Sequence, residues 1–580
     1  MKKRIPAISL AICVIVTMVV GCGMKNTQMP ETNAGNMRQT EKETATVENI
    51  ESQETSEETK RIETAPILEV PALNMELGSN DGRVYYELFV YSFYDSDGDG
   101  IGDLRGVLEK LDYLNDGDPN GGEDLGVTGI WLMPIMSSTT YHKYDTTDYY
   151  EVDPEYGSIE DFTKLCETCH ERGMKVILDL AINHTSSKHP WFLEAAEYIR
   201  SLPEGKDIKE EECPYVGYYH FSKEKKSGYE ALKGTEYYYE ANFWSEMPDL
   251  NWDNPEVMKE YSDIAAFWLS MGADGFRLDA VKELQSGSPE KNIEILKEFQ
   301  ARVKAIREDA YIVCECWEQQ PVYASYYESG VDSMFDFKWA DKNGLIANIV
   351  NQKTDASVYA LEQEEQQKLY GSFNPEYVNA PFYVNHDMGR GAGYYAGDES
   401  ESKVKLAQAL NLLMSGNAFL YYGEELGMKG AGKDENKRAP MYWSADPSTE
   451  GMCVGPANMD DISMKYGPYE EQRKETDSIL AYVREAILLR NAYPALAMGD
   501  VAAHPELSDR DICVFEKVCE NQSCLVLINV GEDSREVDLS SLDEEIRKKI
   551  YGILLTEEEM PIITENNAIL PPRSIVIFGA

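Results

Sequence analysis

A chain of 580 residues with a formal net charge of −49 makes nucleic acid a poor partner, because an acidic surface repels phosphate backbones. Hydrophobic residues make up 43%, enough for a large core and more than one domain. Aromatic residues reach 11%, with 37 Tyr and 8 Trp.

The chain opens on Lys2, Lys3 and Arg4, followed by an apolar stretch from Ile5 to Val20. That stretch is short for a membrane span and reads as a signal peptide over residues 1–22. Its end, Val19-Val20-Gly21-Cys22, resembles the bacterial lipoprotein signal, in which the Cys is lipidated and becomes the mature N-terminus. The resemblance implies a secreted protein held to the lipid bilayer through Cys22, on the outer face of the cell membrane. Residues 23–77 are rich in Glu, Thr, Asn, Gln and Ser and poor in large apolar groups. They read as a flexible tether. Nine Cys lie beyond the leader, an odd number that does not suggest a disulfide framework. Cys166 and Cys169 share a helical pattern from Ile159 to Arg172 with no second ligand pair, so packing outweighs metal or redox chemistry there.

From Arg83 onward, short apolar runs alternate with helical stretches, the pattern of βα units. The predicted strands are Val84–Tyr91, Gly129–Pro134, Lys175–Leu180, Gly275–Asp279, Tyr311–Glu315, Ser333–Phe337, Ala380–Val384 and Ala418–Tyr422. Eight strands match a (β/α)8 barrel, whose chemistry gathers at the C-terminal strand ends. After the first strand, Asp95-Ser-Asp97-Gly-Asp99-Gly-Ile101-Gly-Asp103 has calcium-loop spacing. Asp95, Asp97, Asp99 and Asp103 supply side-chain oxygens and Ile101 a backbone carbonyl. Position 12 is Gly106, so this is not an ordinary EF-hand.

Four further motifs end strands three, four, five and seven: Asp179-Leu-Ala-Ile-Asn-His184, Gly275-Phe-Arg-Leu-Asp-Ala-Val-Lys-Glu283, Cys314-Glu-Cys-Trp317 and Tyr383-Val-Asn-His-Asp387. In this order they resemble the α-amylase family, glycoside hydrolase family 13, over roughly residues 78–580. Tyr141-His-Lys-Tyr144-Asp145 is similar to a further family pattern, with Lys143 in place of Gly. The resemblance implies an α/β TIM barrel over 78–184 and 252–493. It also implies a small inserted domain after strand three, 185–251, closed by Met247-Pro-Asp-Leu-Asn251. A C-terminal antiparallel β-sandwich is predicted over 494–580, with strands at Cys513–Val518, Ser523–Val530 and Ser574–Phe578.

By resemblance, Asp279 is the nucleophile and Glu315 the general acid, then base, while Asp387 holds the 2- and 3-hydroxyls of the distorted sugar. Arg277 precedes Asp279 by two residues, so both project to one face of the strand. Its guanidinium keeps the nucleophile ionised and aimed. Glu315 needs a raised pKa to carry a proton near neutrality. Cys314 and Cys316 should point away from the cleft into packing. Tyr144, His184 and His386 are implied at the sugar being cleaved and Lys282 on the leaving side, where Glu283 departs from the usual amylase His. Asp179 reads as structural, and for Trp317 cleft lining and core packing stand equal.

Exo-acting relatives carry an Asp where this chain has Tyr141, which implies an open cleft and internal cutting. The Asp95 loop binds Ca2+ in related enzymes, and a second family site would use Asn183 and Asp249. The implied activity is retaining endo-hydrolysis of α-1,4 bonds in starch and maltooligosaccharides. Neopullulanase, exo-α-glucosidase and glucanotransferase activities are alternatives on the same scaffold. A non-catalytic starch-binding lipoprotein is an alternative of another class, against which the intact Asp279, Glu315 and Asp387 argue.

Overall fold

The computed structural model describes residues 80–118, 122–203, 205–519 and 522–579. The predicted signal peptide, Cys22 and the whole of the predicted tether lie outside them. Seven parallel strands form one sheet: β1 (Val84–Leu88), β2 (Gly129–Leu132), β3 (Lys175–Leu180), β4 (Gly275–Leu278), β5 (Tyr311–Cys314), β6 (Ser333–Met334) and β7 (Ala418–Tyr421). Their spatial order is β6-β5-β4-β3-β2-β1-β7, and each of the six pairings is parallel.

The predicted strand at 380–384 is not a regular strand. Ala380 bridges Phe335 next to β6, and Phe382 bridges Phe419 in β7. Between them lies Pro381, which has no N–H to give to a ladder, although its carbonyl accepts from Phe419 N at 2.9 Å. The segment therefore fills the gap in the ring without regular pairing. The first strand also stops short of its predicted end, turning at Val90–Ser92 into a 3-10 helix.

Side chains from opposite strands meet inside the ring. Tyr85 of β1 stacks on Tyr311 of β5 at 5.4 Å, and Trp131 of β2 lies 5.4 Å from Phe335. Gly129 makes room for this filling, because a Cβ there would stand 2.5 Å from the Tyr85 ring. Residues two apart share a face, and along this inner face the chemistry changes towards the C-terminal end. Tyr85 is followed by Glu87, Ile177 by Asp179, and Gly275 by Arg277. The floor is thus apolar and the rim charged.

The 185–251 segment folds as a helix, Pro190–Ser201, and a small sheet of Phe221–Ser222, Tyr229–Ala231 and Tyr238–Glu240. Its end is pinned back on the stretch just after β3 by Leu250 N to Asn183 O, 2.8 Å, and the adjoining Trp252 donates from Nε1 to Ile182 O, 2.9 Å. The helix containing Cys166 and Cys169 runs Ile159–Glu171 and buries both thiols.

At the C-terminus, two antiparallel sheets pack face to face. The larger contains Ile512–Cys519 and Ser574–Gly579, both longer than predicted, and Gln522–Asn529, displaced by one residue from its predicted place, with Asp500–Ala503 and Lys549–Leu555 at its edges. The smaller contains Arg535–Asp538, Ile562–Ile563 and Asn567–Leu570. Period-two alternation splits the larger sheet. Val514, Leu527, Val576 and Phe578 join Val537, Ala568 and Leu570 in a separate core. Phe515, Val526, Ile528, Ile575 and Ile577 face the other way and belong to the barrel's core.

Candidate active site

Strand register sets the site. Asp179 on β3 pairs with Arg277 on β4, which pairs with Val313 on β5. The next residues up the barrel, Asp279 and Glu315, leave adjacent strand ends side by side. Arg277 joins all three acids. Its Nη1 donates to Asp179 Oδ1 at 2.8 Å and to Asp279 Oδ1 at 2.7 Å. Its Nη2 donates to Glu315 Oε2 at 2.6 Å. The guanidinium is fully buried.

One cation cannot neutralise three carboxylates, so the least solvated acids take up protons more readily. Burial pushes Glu315 up to about 8, against the pull of Arg277, with Asp279 and Asp387 adding to the rise. Burial likewise raises Asp179, to about 6. Asp179 accepts from Tyr144 Oη at 2.9 Å and from Trp131 Nε1 at 3.2 Å, so it braces the site from beneath.

The residue after Asp279 turns the chain sharply. Ala280 has φ 44° and ψ 46°, a left-handed conformation that costs a non-glycine residue about 1–2 kcal/mol. Val281 N, donating to Glu315 O at 2.9 Å, helps to hold it. Backbone strain is thus placed beside the acid pair.

On the opposite side, Arg438 Nη2 donates to Asp387 Oδ1 at 2.8 Å, and His386 Nε2 lies 3.3 Å from Oδ2. Burial would raise Asp387, but His386 and Arg438 outweigh it and hold the carboxyl well below its usual range. His386 Nδ1 meets Glu87 Oε1 at 2.5 Å and its Nε2 lies 2.8 Å from Tyr144 Oη. Burial alone would lower this imidazole, yet Asp387 and Glu87 raise it to about 10.

These groups border a cleft of about 600 Å3. Of the predicted residues, Tyr144, His184, Asp279, Lys282, Glu315 and Asp387 line it. Arg277 and His386 are buried behind the wall and orient its side chains. Trp317 lines the cleft, 47% exposed, while Cys314 and Cys316 point into packing as anticipated. Lys143 occupies a left-handed turn with φ 64°, the conformation in which the family's Gly is strain-free. Its buried ammonium pairs with Asp153 at 2.9 Å and Glu155 at 2.5 Å, which offsets that strain.

Arg438, Glu87 and Phe243 were not legible as site residues, and His142, which stands in the Tyr141–Asp145 motif and lines the cleft, carried no predicted role. Glu87 meets His386 across 299 residues and Arg438 meets Asp387 across 51. Neither stands in a motif; the charged inward end of β1 was the one available signal, and it singled out Glu87 alone.

In the acidic loop, Asp95, Asp97 and Asp99 bring carboxylate oxygens within 4.8 Å of one another. Backbone amides point at all three, from Gly98 and Gly100 to Asp95, from Asp99 to Asp97 and from Ile101 to Asp99. An all-oxygen set of this kind suits a hard divalent cation. Asp103 does not join the cluster. It caps the helix Leu104–Glu109 through Gly106 N and also accepts from Ser96. At the second predicted place, Asp249 Oδ1 is buried without a hydrogen-bond partner. Asn183 Nδ2 donates to Glu283 O at 2.6 Å. The orphaned oxygen fits a cation ligand, although Asn183 presents its amide N–H to the carbonyl in this arrangement.

Two carboxyl groups bridged by a buried guanidinium, one of them inclined to keep its proton, at the mouth of a parallel barrel define a glycoside hydrolase. Comparison with known proteins agrees. The family profile "Alpha amylase, catalytic domain" matches residues 87–499, and the chain belongs to that family, glycoside hydrolase family 13. It is 38% identical to "Alpha-amylase 3" of Dictyoglomus thermophilum, over 85% of this chain and 92% of that one. The solved structure "Eubacterium rectale Amy13B" is 44% identical, with a TM-score of 0.83, over 87% of this chain and 96% of its own. A "4-alpha-glucanotransferase" of Thermotoga neapolitana is 31% identical over 69% of this chain and 84% of its length.

Proposed function

We propose that the protein is an endo-acting, retaining α-amylase that hydrolyses α-1,4 bonds in starch and maltooligosaccharides. The observation that carries this reading is Asp279 and Glu315 on one guanidinium, at 2.7 and 2.6 Å. So short a span favours the ~5–5.5 Å carboxyl separation of retaining enzymes over the ~6.5–9.5 Å of inverting ones. Protonated Glu315 donates to the leaving oxygen while Asp279 attacks the anomeric carbon. Glu315, now ionised, then draws the proton from an entering water. Asp387, fixed by Arg438 and His386, grips the sugar's hydroxyls, and Tyr144 offers its ring face.

Endo action rests on Tyr141, which stands in the place of the pocket-closing Asp of exo-enzymes and accepts from Arg438 Nη1 at 3.3 Å. A timed digest of soluble starch should yield mixed maltooligosaccharides on chromatography. Glucose as sole product from the first minutes would contradict internal cutting.

The Asp95 loop is proposed to bind calcium, its natural hard-cation fit. It is strapped to a distant segment by Asp95 N to Gly451 O, 3.0 Å, and Val454 N to Gly100 O, 2.8 Å. A cation that binds only the folded loop stabilises the fold by mass action. Chelation should therefore lower the melting temperature by several degrees; an unchanged melting curve removes calcium from this account.

The Cys22 anchor belongs to the same proposal. Cys22→Ser should move the protein from the membrane fraction to the medium, and unchanged fractionation would exclude lipidation.

A further inference from the structure

Glu87 is buried on the inner face of β1, and the hydrolysis proposed for this site gives it no task. β1 lies between β2 and β7, and Glu87 stands in register with Trp131 on one side and Tyr421 on the other. Its backbone is therefore held from both flanks. Its Oε1 lies 2.5 Å from His386 Nδ1 and also accepts from His386 N at 3.4 Å. Glu87 does not line the cleft, so whatever it does for the reaction passes through this ring.

The neighbours of His386 fix its protons. Asp179 is met by Arg277 Nη1 on both oxygens, at 2.8 and 3.0 Å, and by Trp131 Nε1 at 3.2 Å, so it serves as an acceptor. Tyr144 Oη donates its one proton to the same carboxylate at 2.9 Å. The Tyr144 oxygen, 2.8 Å from His386 Nε2, can then only accept there. Asp387 Oδ2, 3.3 Å from that nitrogen, is a second acceptor. Both ring nitrogens thus face acceptors, and an imidazole satisfies acceptors on both sides only when each nitrogen carries a proton. The ring is stacked on Tyr144 at 5.6 Å and edge-on to Trp131 at 5.8 Å. The charged groups around it are Glu87, Asp387, Asp179 and Glu315, with Arg277 behind Tyr144 and Arg438 behind Asp387. Of these, Glu87 alone meets Nδ1.

We propose that Glu87 is a positioning residue for Asp387: its carboxylate holds His386 as a doubly protonated ring, and that ring aims Asp387 and Tyr144 at the sugar being cleaved. The inference rests on the hydrolase reading above. Without the Glu87 charge the ring gives up one proton more readily, and a neutral ring has one N–H to offer instead of two. Hydrogen bonds to the sugar's hydroxyls strengthen in the transition state, so a loosened Asp387 should cost turnover more than substrate affinity.

The test measures kcat and KM on maltoheptaose for Glu87→Gln, made both in the parent and in a His386→Gln background. In the parent, kcat and kcat/KM should fall together by about 10–100-fold, the size of one hydrogen bond to a charged group, and KM should stay within about twofold. The alkaline limb of kcat/KM should also move to lower pH than in the parent. In the His386→Gln background the same change should alter kcat/KM by less than about twofold, because the ring through which Glu87 acts is gone. Glu87→Asp keeps the charge but stops short of Nδ1. Should Glu87→Gln not fold, the comparison is made with Glu87→Asp, and the loss should again appear in the parent background only. A loss below about twofold in the parent, or an equal loss in both backgrounds, overturns the role, and the hydrolase reading survives either result. Absence of hydrolysis of any α-1,4-glucan by the unsubstituted chain removes that reading, and this role with it.

Discussion

Glu315→Gln should lower turnover on starch by about 10³-fold, within the range that general acid–base catalysis contributes. The amide cannot protonate the leaving oxygen, yet it fills the same space against Arg277. The defect should shrink on an α-maltosyl fluoride, whose leaving group needs little protonation. A starch rate within tenfold of the parent would overturn the assignment of the acid. The parent's kcat/KM should fall as pH rises through about 8, where Glu315 loses its proton, and this limb should vanish in the variant. The same shift bears on folding. The native pKa lies above the free value of 4.5, so between about pH 4.5 and 8 the folded state binds more protons than the unfolded one. Stability from this group falls as pH rises across that window. The Gln variant should therefore melt no lower than the parent at pH 8.

Arg277→Met should be the most destabilising single change at the site, by about 3–5 kcal/mol, the cost of stripping the partner from a buried ion pair. It leaves Asp179, Asp279 and Glu315 facing one another with no cation between them. These acids then recover neutrality only by protonation, so the deficit should be greatest at alkaline pH and shrink on acidification. Urea denaturation at pH 5 and pH 8 measures this directly. A variant as stable as the parent at pH 8 would show that the guanidinium does not hold the three acids together. Activity should be lost in either case, because Asp279 is no longer aimed by the Arg277 hydrogen bond.

Much of this was legible in the sequence because the chemistry sits at strand ends, where short apolar runs stop at polar residues. The Asp179, Asp279 and Glu315 positions follow from the runs Lys175–Leu180, Gly275–Leu278 and Tyr311–Cys314. What escaped depended on contacts made only in the fold. Arg438 enters at the end of the short helix Asp434–Lys437, after β7, with no local pattern to mark it. Asp103 matched a ligand spacing, but its carboxylate served the nearer need of a helix start. The run at 380–384 looked like a strand by composition, while Pro381 withheld the hydrogen bond that would have made it one. Lys143 shows the reverse case, a departure from the family pattern tolerated because Asp153 and Glu155 meet its ammonium.

The larger C-terminal sheet gives one face to its own core and the other to the barrel's. It follows that the catalytic portion is not a detachable module. A chain ended near residue 493 would leave a greasy flank open to water, and it should be recovered from expression as insoluble material. Homologous tails could be exchanged only if Phe515, Val526, Ile528, Ile575 and Ile577 travel with matching counterparts, which makes the boundary between these regions a seam of co-inherited residues.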